Sequence, residues 1–235
     1  MPKLGVNIDH AASLRQLRRG IEPKIISCAI LCEAAGCDSI VAHLREDQRH
    51  IRENDVYLLK KIVKTRFNLE MSVNKKIVDI ACMVKPHQAT LVPERRHEVT
   101  TECGLDVIAN FRKVSNAVSR LKDAGIEVSL FIDPQRSQID ASREIVDMIE
   151  LHTGRYVNAD LAKRAKFLDE LSETTHYAKD LGLIVNAGHG LDYDNVIPVA
   201  SIEGIEELNI GYSIICQSVF TGLGNAVKRM KELIS

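Results

Sequence analysis

Eight short β-rich runs, helical patterns between them and a length of 235 residues together predict a (β/α)8 TIM barrel. The expected arrangement is one α/β domain over residues 1–235, with a few extra helices. In chain order the runs are "KLGVNID", "SIVAHL" (39–44), "NLEMS" (68–72), "QATLVP" (88–93), "EVSLFID" (127–133), "MIELHT" (148–153), "LIVNAG" (183–188) and "ELNIG" (207–211). Between them stand helix candidates such as "KIISCAILCEAAG", "DVYLLKKIVKTRF", "VSNAVSRLKDAG" and the long "DLAKRAKFLDELSETTHYAKDLG". Several end in glycine, the residue expected just past a helix C-terminus. An open doubly wound sheet could also hold eight strands, but no GxGxxG follows the first run.

Composition narrows the function classes. The 31 basic and 32 acidic residues nearly cancel, which gives no reason to expect a nucleic-acid or anionic-membrane partner. No apolar run approaches the roughly 20 residues of a membrane span. The opening "MPKLGVNIDH" lacks the pattern of a signal peptide, so a cytoplasmic protein is expected. Six cysteines occur without a CxxC pair, and they read as small buried apolar residues rather than zinc ligands or disulfide partners.

In a barrel enzyme the active site gathers where strands end. The first run ends in Asn7, Asp9 and His10, and the second in His43 and Arg45, with Arg49 and His50 soon after. The third carries Glu70. The fourth leads into Glu94, Arg95 and Arg96, then Thr100 and Thr101. Asp133 closes the fifth; Glu150, His152 and Thr153 close the sixth. The seventh gives Asn186 and His189, and the eighth Asn209 and Gly211. Five of eight histidines, His10, His43, His50, His152 and His189, thus fall at one rim, a pattern that core packing explains poorly. His87 lies at the opposite face, His97 in a loop and His176 in a helix.

Glu70 is flanked by Leu69 and Met71, and strand alternation points it into the barrel. Burial there raises a carboxyl pKa toward the range useful for acid–base work. The plainer alternative is a salt bridge to Arg45 or another rim arginine. Arg45, His50 and the threonines after the fourth run can hold an anion such as phosphate. The glycine loops "NAGHG" and "NIGYS" offer backbone amides for a second anion, where phosphate often binds in this fold. Tight-turn geometry alone would also account for them.

The segments "GVNIDH", "VAHLREDQRHI", "NLEMS", "LVPERRHEVTTE", "SLFID", "IELHTG", "VNAGHGL" and "ELNIGYSII" resemble, in order, the signature segments of the pyridoxine 5'-phosphate synthase family. The resemblance covers nearly the whole chain. It implies a (β/α)8 barrel, assembled as a homo-octamer, that makes pyridoxine 5'-phosphate in vitamin B6 biosynthesis. The implied substrates are two phosphorylated small molecules, 1-deoxy-D-xylulose 5-phosphate and 3-amino-2-oxopropyl phosphate. They condense and close a pyridine ring with loss of phosphate and water, and no cofactor or metal is implied. By motif, His43 and Glu70 match the family's proton acceptors and His189 its proton donor. Asp9, His10, Arg45, His50 and Thr100 match the deoxyxylulose phosphate site. Asn7, Arg18, Gly190, Gly211 and Tyr212 match the site of the second substrate.

This chain departs from the family's pattern at three places. Tyr212 stands where histidine is frequent, Cys103 replaces a glycine in a loop expected to close over the site, and Arg155 follows "HTG" ahead of a shortened connection. Two rivals follow from the residues. One is a phosphosugar isomerase or epimerase with a metal on His43, Glu70 and His152; the other is a non-catalytic sensor of phosphorylated metabolites. A Schiff-base aldolase is disfavoured, because no lysine closes a strand.

Overall fold

The structure, a computed structural model, describes residues 1–94 and 103–235. Arg95, Arg96, His97, Thr100 and Thr101, which the sequence places after the fourth strand, lie outside the described residues. The elements run β1 (Lys3–Asn7), α1 (Asp9–Leu17), α2 (Ile25–Ala34), β2 (Ser39–Leu44), α3 (Glu53–Ile62), β3 (Arg66–Met71), α4 (Lys75–Val84), β4 (Gln88–Leu91) and α5 (Val107–Asp123). They continue with β5 (Glu127–Ile132), α6 (Arg136–Arg143), β6 (Met148–His152), α7 (Gly154–Val157), α8 (Leu161–Asp180), β7 (Ile184–Gly188), α9 (Val196–Ala200), β8 (Ile205–Ile210), α10 (Tyr212–Thr221) and α11 (Leu223–Leu233). All eight strands pair in parallel with their sequence neighbours, and β8 pairs with β1 to close a (β/α)8 barrel. No helix among the described residues is long and apolar enough to cross a membrane.

Strand ends differ from the sequence reading in a consistent way. Six of the eight runs overshoot by one or two residues at their carboxyl ends, so Asp9, Ser72, Pro93, Asp133, Thr153 and Gly211 fall just beyond the ladder, while those of β2 and β7 end as read. At β1 the reason is local. The Asn7 side chain accepts from the Asp9 amide at 2.9 Å and donates to the Asp9 carboxylate at 2.9 Å, which turns the chain straight into α1.

The outward strand residues make the main core. Leu4, Val6, Ile40, Leu44, Phe67, Leu69, Leu91, Leu130, Ile149, Leu151, Val185 and Leu208 are buried against the helical layer, whose faces supply Ala29, Val56, Ile77, Val114, Leu121, Ile139, Leu171 and Val227. The inward residues are mostly polar: Ser39, Asn68, Gln88, Thr90, Ser129, Glu150, Asn186, Glu207 and Asn209 are all buried. Thr90 donates to Asn68 at 2.9 Å and Gln88 to Thr90 at 3.1 Å. Asn209 reaches past β7 to donate to Glu150 at 2.7 Å. The free cysteines Cys28, Cys32 and Cys37 are buried on or just after α2, as small apolar residues would be. Burial lifts the Cys32 thiol far above its usual range and the Cys37 thiol to about 12, so they stay protonated.

Candidate active site

Four of the five rim histidines build two facing clusters at the carboxyl ends of the strands. The first stands on β1, β2 and β3. His43 and Glu70 are register partners on neighbouring parallel strands, so their side chains project from the same side at the same height. The His43 amide donates to Asp9 Oδ1 at 2.8 Å. The His43 ring meets Glu94 Oε1 through Nε2 at 3.0 Å, and the His50 ring centroid lies 5.9 Å away. Glu94 Oε2 also accepts from the Glu46 amide at 3.0 Å. Burial works most strongly against a charged Glu94, but His43, the Glu46 amide and Arg45 together outweigh it and hold its carboxyl below the usual range.

Glu70 is half-buried and lines the barrel mouth. Loss of solvent, then the nearby Glu150 and Asp9 carboxylates, push its carboxyl well above the ordinary value. The Asn7 side-chain amide donates to Glu70 Oε2 at 3.4 Å, and no salt bridge reaches Glu70 among the described residues. Among the described residues no rim arginine pairs with Glu70. Arg45 is buried and turns to Asp47 at 3.2 Å instead.

The second cluster stands on β5, β6 and β7, across the mouth from Glu70. The His189 ring packs edge-on against His152, centroids 4.9 Å apart, and Phe131 backs both rings at 6.4 and 5.1 Å. His189 takes φ +86° and Gly190 φ +78°. A histidine in this left-handed region is strained, and the surroundings hold it there. Thr153 does so by donating its hydroxyl to the carbonyls of Gly188 and His189. Burial first, then His152 and His10, pull the His189 imidazole down to about 4. His189 in the unliganded protein is therefore expected to stay neutral from about pH 8 down to about pH 5.5, with a titration midpoint near 4 by NMR of its ring protons. The unfolded chain takes that proton near the ordinary value of about 6.5. Stability is accordingly lost as pH falls through the window between the two values, and above it this residue adds no pH slope.

The fifth histidine, His10, lies between the clusters on α1. Burial lowers it and Asp9 partly offsets that, while the Tyr212 ring meets it edge-on at 5.1 Å. Tyr212 is otherwise exposed. Gly211 precedes the first turn of α10, whose open backbone amides face the mouth side of β8. Any Cβ at Gly211 would stand 2.8 Å from that of Asn7, so the close approach of β8 to β1 requires glycine. The loop after β7 differs from expectation: the helix that follows Gly190 starts six residues later, at Val196, so Gly190 is not at a helix N-terminus. Asp192 and Asn195 close that loop on each other's amides instead. Arg18 is also not gathered. It ends α1, exposed, about 13 Å of helix from Asp9.

The metal set of the isomerase rival is not assembled either. Among the described residues, the group within ligand reach is Asp9, His43 and His50, with ligand atoms within 4.8 Å of one another, and it excludes Glu70 and His152. A surface hollow of about 390 Å³ at the other end of the barrel, lined by Met1, Ile202, Gly204 and Ser235, gathers none of the histidines. Two groups carry more weight than their place in the sequence suggests. Glu150, midway along β6, is raised by burial and by Glu207 against the pull of Asn209, and Glu94, just past β4, holds His43. Only the closed barrel shows their partners.

Comparison with known proteins decides the family. Residues 4–235 match the model of PdxJ, described as pyridoxal phosphate biosynthesis protein PdxJ. The chain belongs to the PdxJ family. Pyridoxine 5'-phosphate synthase of Prochlorococcus marinus (strain AS9601) is 52% identical, the match covering 100% of this chain and 99% of that one. The synthase of Synechococcus sp. (strain WH7803) is 52% identical over 100% of this chain and 95% of its own length. This family member is thus an enzyme of vitamin B6 biosynthesis with the pyridoxine 5'-phosphate synthase activity. Among solved structures, KGPDC from Streptococcus mutans superposes with a TM-score of 0.69 at 13% identity, covering 100% of this chain and 97% of that one, and shares the fold.

Proposed function

We propose that the enzyme condenses 1-deoxy-D-xylulose 5-phosphate with 3-amino-2-oxopropyl phosphate and closes the pyridine ring, releasing phosphate and water. The observation that carries this reading is the facing pair of clusters: His43 beside Glu70 on one side of the mouth, His189 on the other. Ring closure needs protons removed beside activated carbons and delivered to poor leaving groups. His43 and Glu70 act as acceptors, and His189 as donor. The raised Glu70 carboxyl sits nearer working pH, where an acid–base group is most effective. His189 is neutral when the site is empty, so its proton must be supported by the negative charge that the phosphorylated substrates bring.

Asp9, His10, Arg45, His50 and Thr100 hold the deoxyxylulose phosphate. Asn7, Gly190, Gly211 and Tyr212 hold the second substrate, with the α10 amides favouring its phosphate. Arg18 completes the set from the resemblance, and geometry supports it least. The imine formed between the two substrates serves as the electron sink, so no cofactor takes part. Incubating purified protein with both substrates and following the pyridine chromophore tests the reading. Formation that survives a chelator supports it. Loss on chelation would favour a metal on Asp9, His43 and His50.

Self-association as a homo-octamer belongs to the same proposal, as does a cytoplasmic location, with which six free cysteines are consistent. Leu14, Leu17 and Ile21 beside Arg18, and Val219 and Phe220 on α10, are exposed apolar residues that a second copy would cover. Light scattering on the eluting protein is expected to give eight times the chain mass. A monomer at micromolar concentration would refute the assembly.

A further inference from the structure

His152 has a set of contacts that the proposed proton transfers leave unused. It closes β6 and is buried. Its Nδ1 lies 3.0 Å from Asp133 Oδ1, and the same carboxylate oxygen accepts from the Gly104 amide at 2.9 Å. The bond from His152, ahead of burial, holds the Asp133 carboxyl below its usual range, so the carboxylate is the acceptor. That places the His152 proton on Nδ1 and leaves a lone pair on Nε2. Nε2 is buried with no hydrogen-bond partner among the described residues, and any Cβ at Gly154 would stand 2.5 Å from it. The face and edge of the ring are taken by Phe131 and His189. The next residue, Thr153, holds the carbonyl of His189.

We propose that Asp133 and His152 are a positioning pair for His189, His152 fixing its ring through the edge contact and the Asp133 carboxylate behind offsetting the cost that a second imidazole adds to a proton on His189. The inference rests on the reading of His189 as a group that exchanges a proton with substrate. The orienting logic is general: a carboxylate that accepts from one ring nitrogen sets the tautomer and charge preference of an imidazole and of what packs on it. His189 otherwise faces His10 from α1, and Arg155 on α7 lies near Asp133. Of these groups Asp133 is the charged carboxylate, since burial raises Glu150, inward on β6 beside Gly188, to about 8.

Nitrogen-resolved NMR of the full-length protein, without substrates, together with steady-state kinetics, tests this. In the unsubstituted chain His152 is expected to carry its proton on Nδ1. In Asp133→Asn the His189 titration midpoint is expected to fall by roughly 0.5–1 pH unit. His152→Phe keeps a ring in place, so a packing role would leave turnover intact. We expect instead a kcat reduced by roughly 10–100-fold with KM for both substrates nearly unchanged. A proton found on His152 Nε2, or an unmoved His189 midpoint in Asp133→Asn, overturns the pairing, and the first of these needs no variant to fold. A moved midpoint with unchanged kcat supports the pairing and refutes His189 as the proton donor.

Discussion

Replacing Glu70 with glutamine lowers kcat by roughly 10²–10⁴-fold, the range lost with one placed acid–base group, and leaves KM for both substrates close to its starting value. Glutamine keeps the size of the side chain and can still accept from Asn7. What it removes is the proton-accepting carboxylate. The accompanying stability change has the opposite sign from most core substitutions. Glu70 is desolvated, stands near Glu150 and Asp9, and has no salt bridge among the described residues. Removing its charge relieves repulsion, so the melting temperature should hold or rise. Product formation and calorimetry on the same preparation check both halves. Normal turnover would refute the role of Glu70, and a large drop in melting temperature would show that the side chain is instead part of the framework.

The second large effect concerns stability. Arg15 forks onto Asp55 with two bonds of 2.8 and 2.7 Å, at side-chain exposures of 9% and 11%. The same guanidinium donates to the His50 carbonyl at 2.9 Å, and Asp55 accepts from the Arg52 amide at 2.8 Å at the start of α3. Arg15→Met strands a buried carboxylate and frees the segment that carries His50. Breaking a buried pair from one side costs about 3–5 kcal/mol, which at this chain length lowers the melting temperature on the order of 10 °C. Arg15→Met combined with Asp55→Leu should recover part of that loss, because no unpaired charge remains. Thermal unfolding of the three variants checks the ordering. Equal melting temperatures for Arg15→Met and the unsubstituted chain would show that the pair contributes little.

Much of the architecture was legible because it is local. Eight runs and the helices between them follow from alternation and helical periodicity, and parallel closure then brings the strand-end residues to one rim. Even the adjacency of His43 and Glu70 follows, since consecutive strands of a barrel pair in register. The partnerships were not legible. Glu94 with His43, Arg15 with Asp55 and Asp133 with His152 join residues 51, 40 and 19 apart, and nothing periodic links them. Other misses have local causes that pattern alone does not weigh. The Asn7 turn starts α1 at once, which carries Arg18 away from the mouth. Asp192 and Asn195 close the loop after β7, so Gly190 has no helix beside it.

The polar lining of the barrel changes what kind of object this protein is to mutate. Its oil is mainly a ring, held between strands and helices, and the axis of the molecule is mostly polar. Axial positions such as Ser129, Asn68 and Thr90 therefore answer to hydrogen-bond arithmetic rather than to volume. A designer who wished to alter the chemistry at the mouth could rewrite that axis while the ring goes on holding the fold.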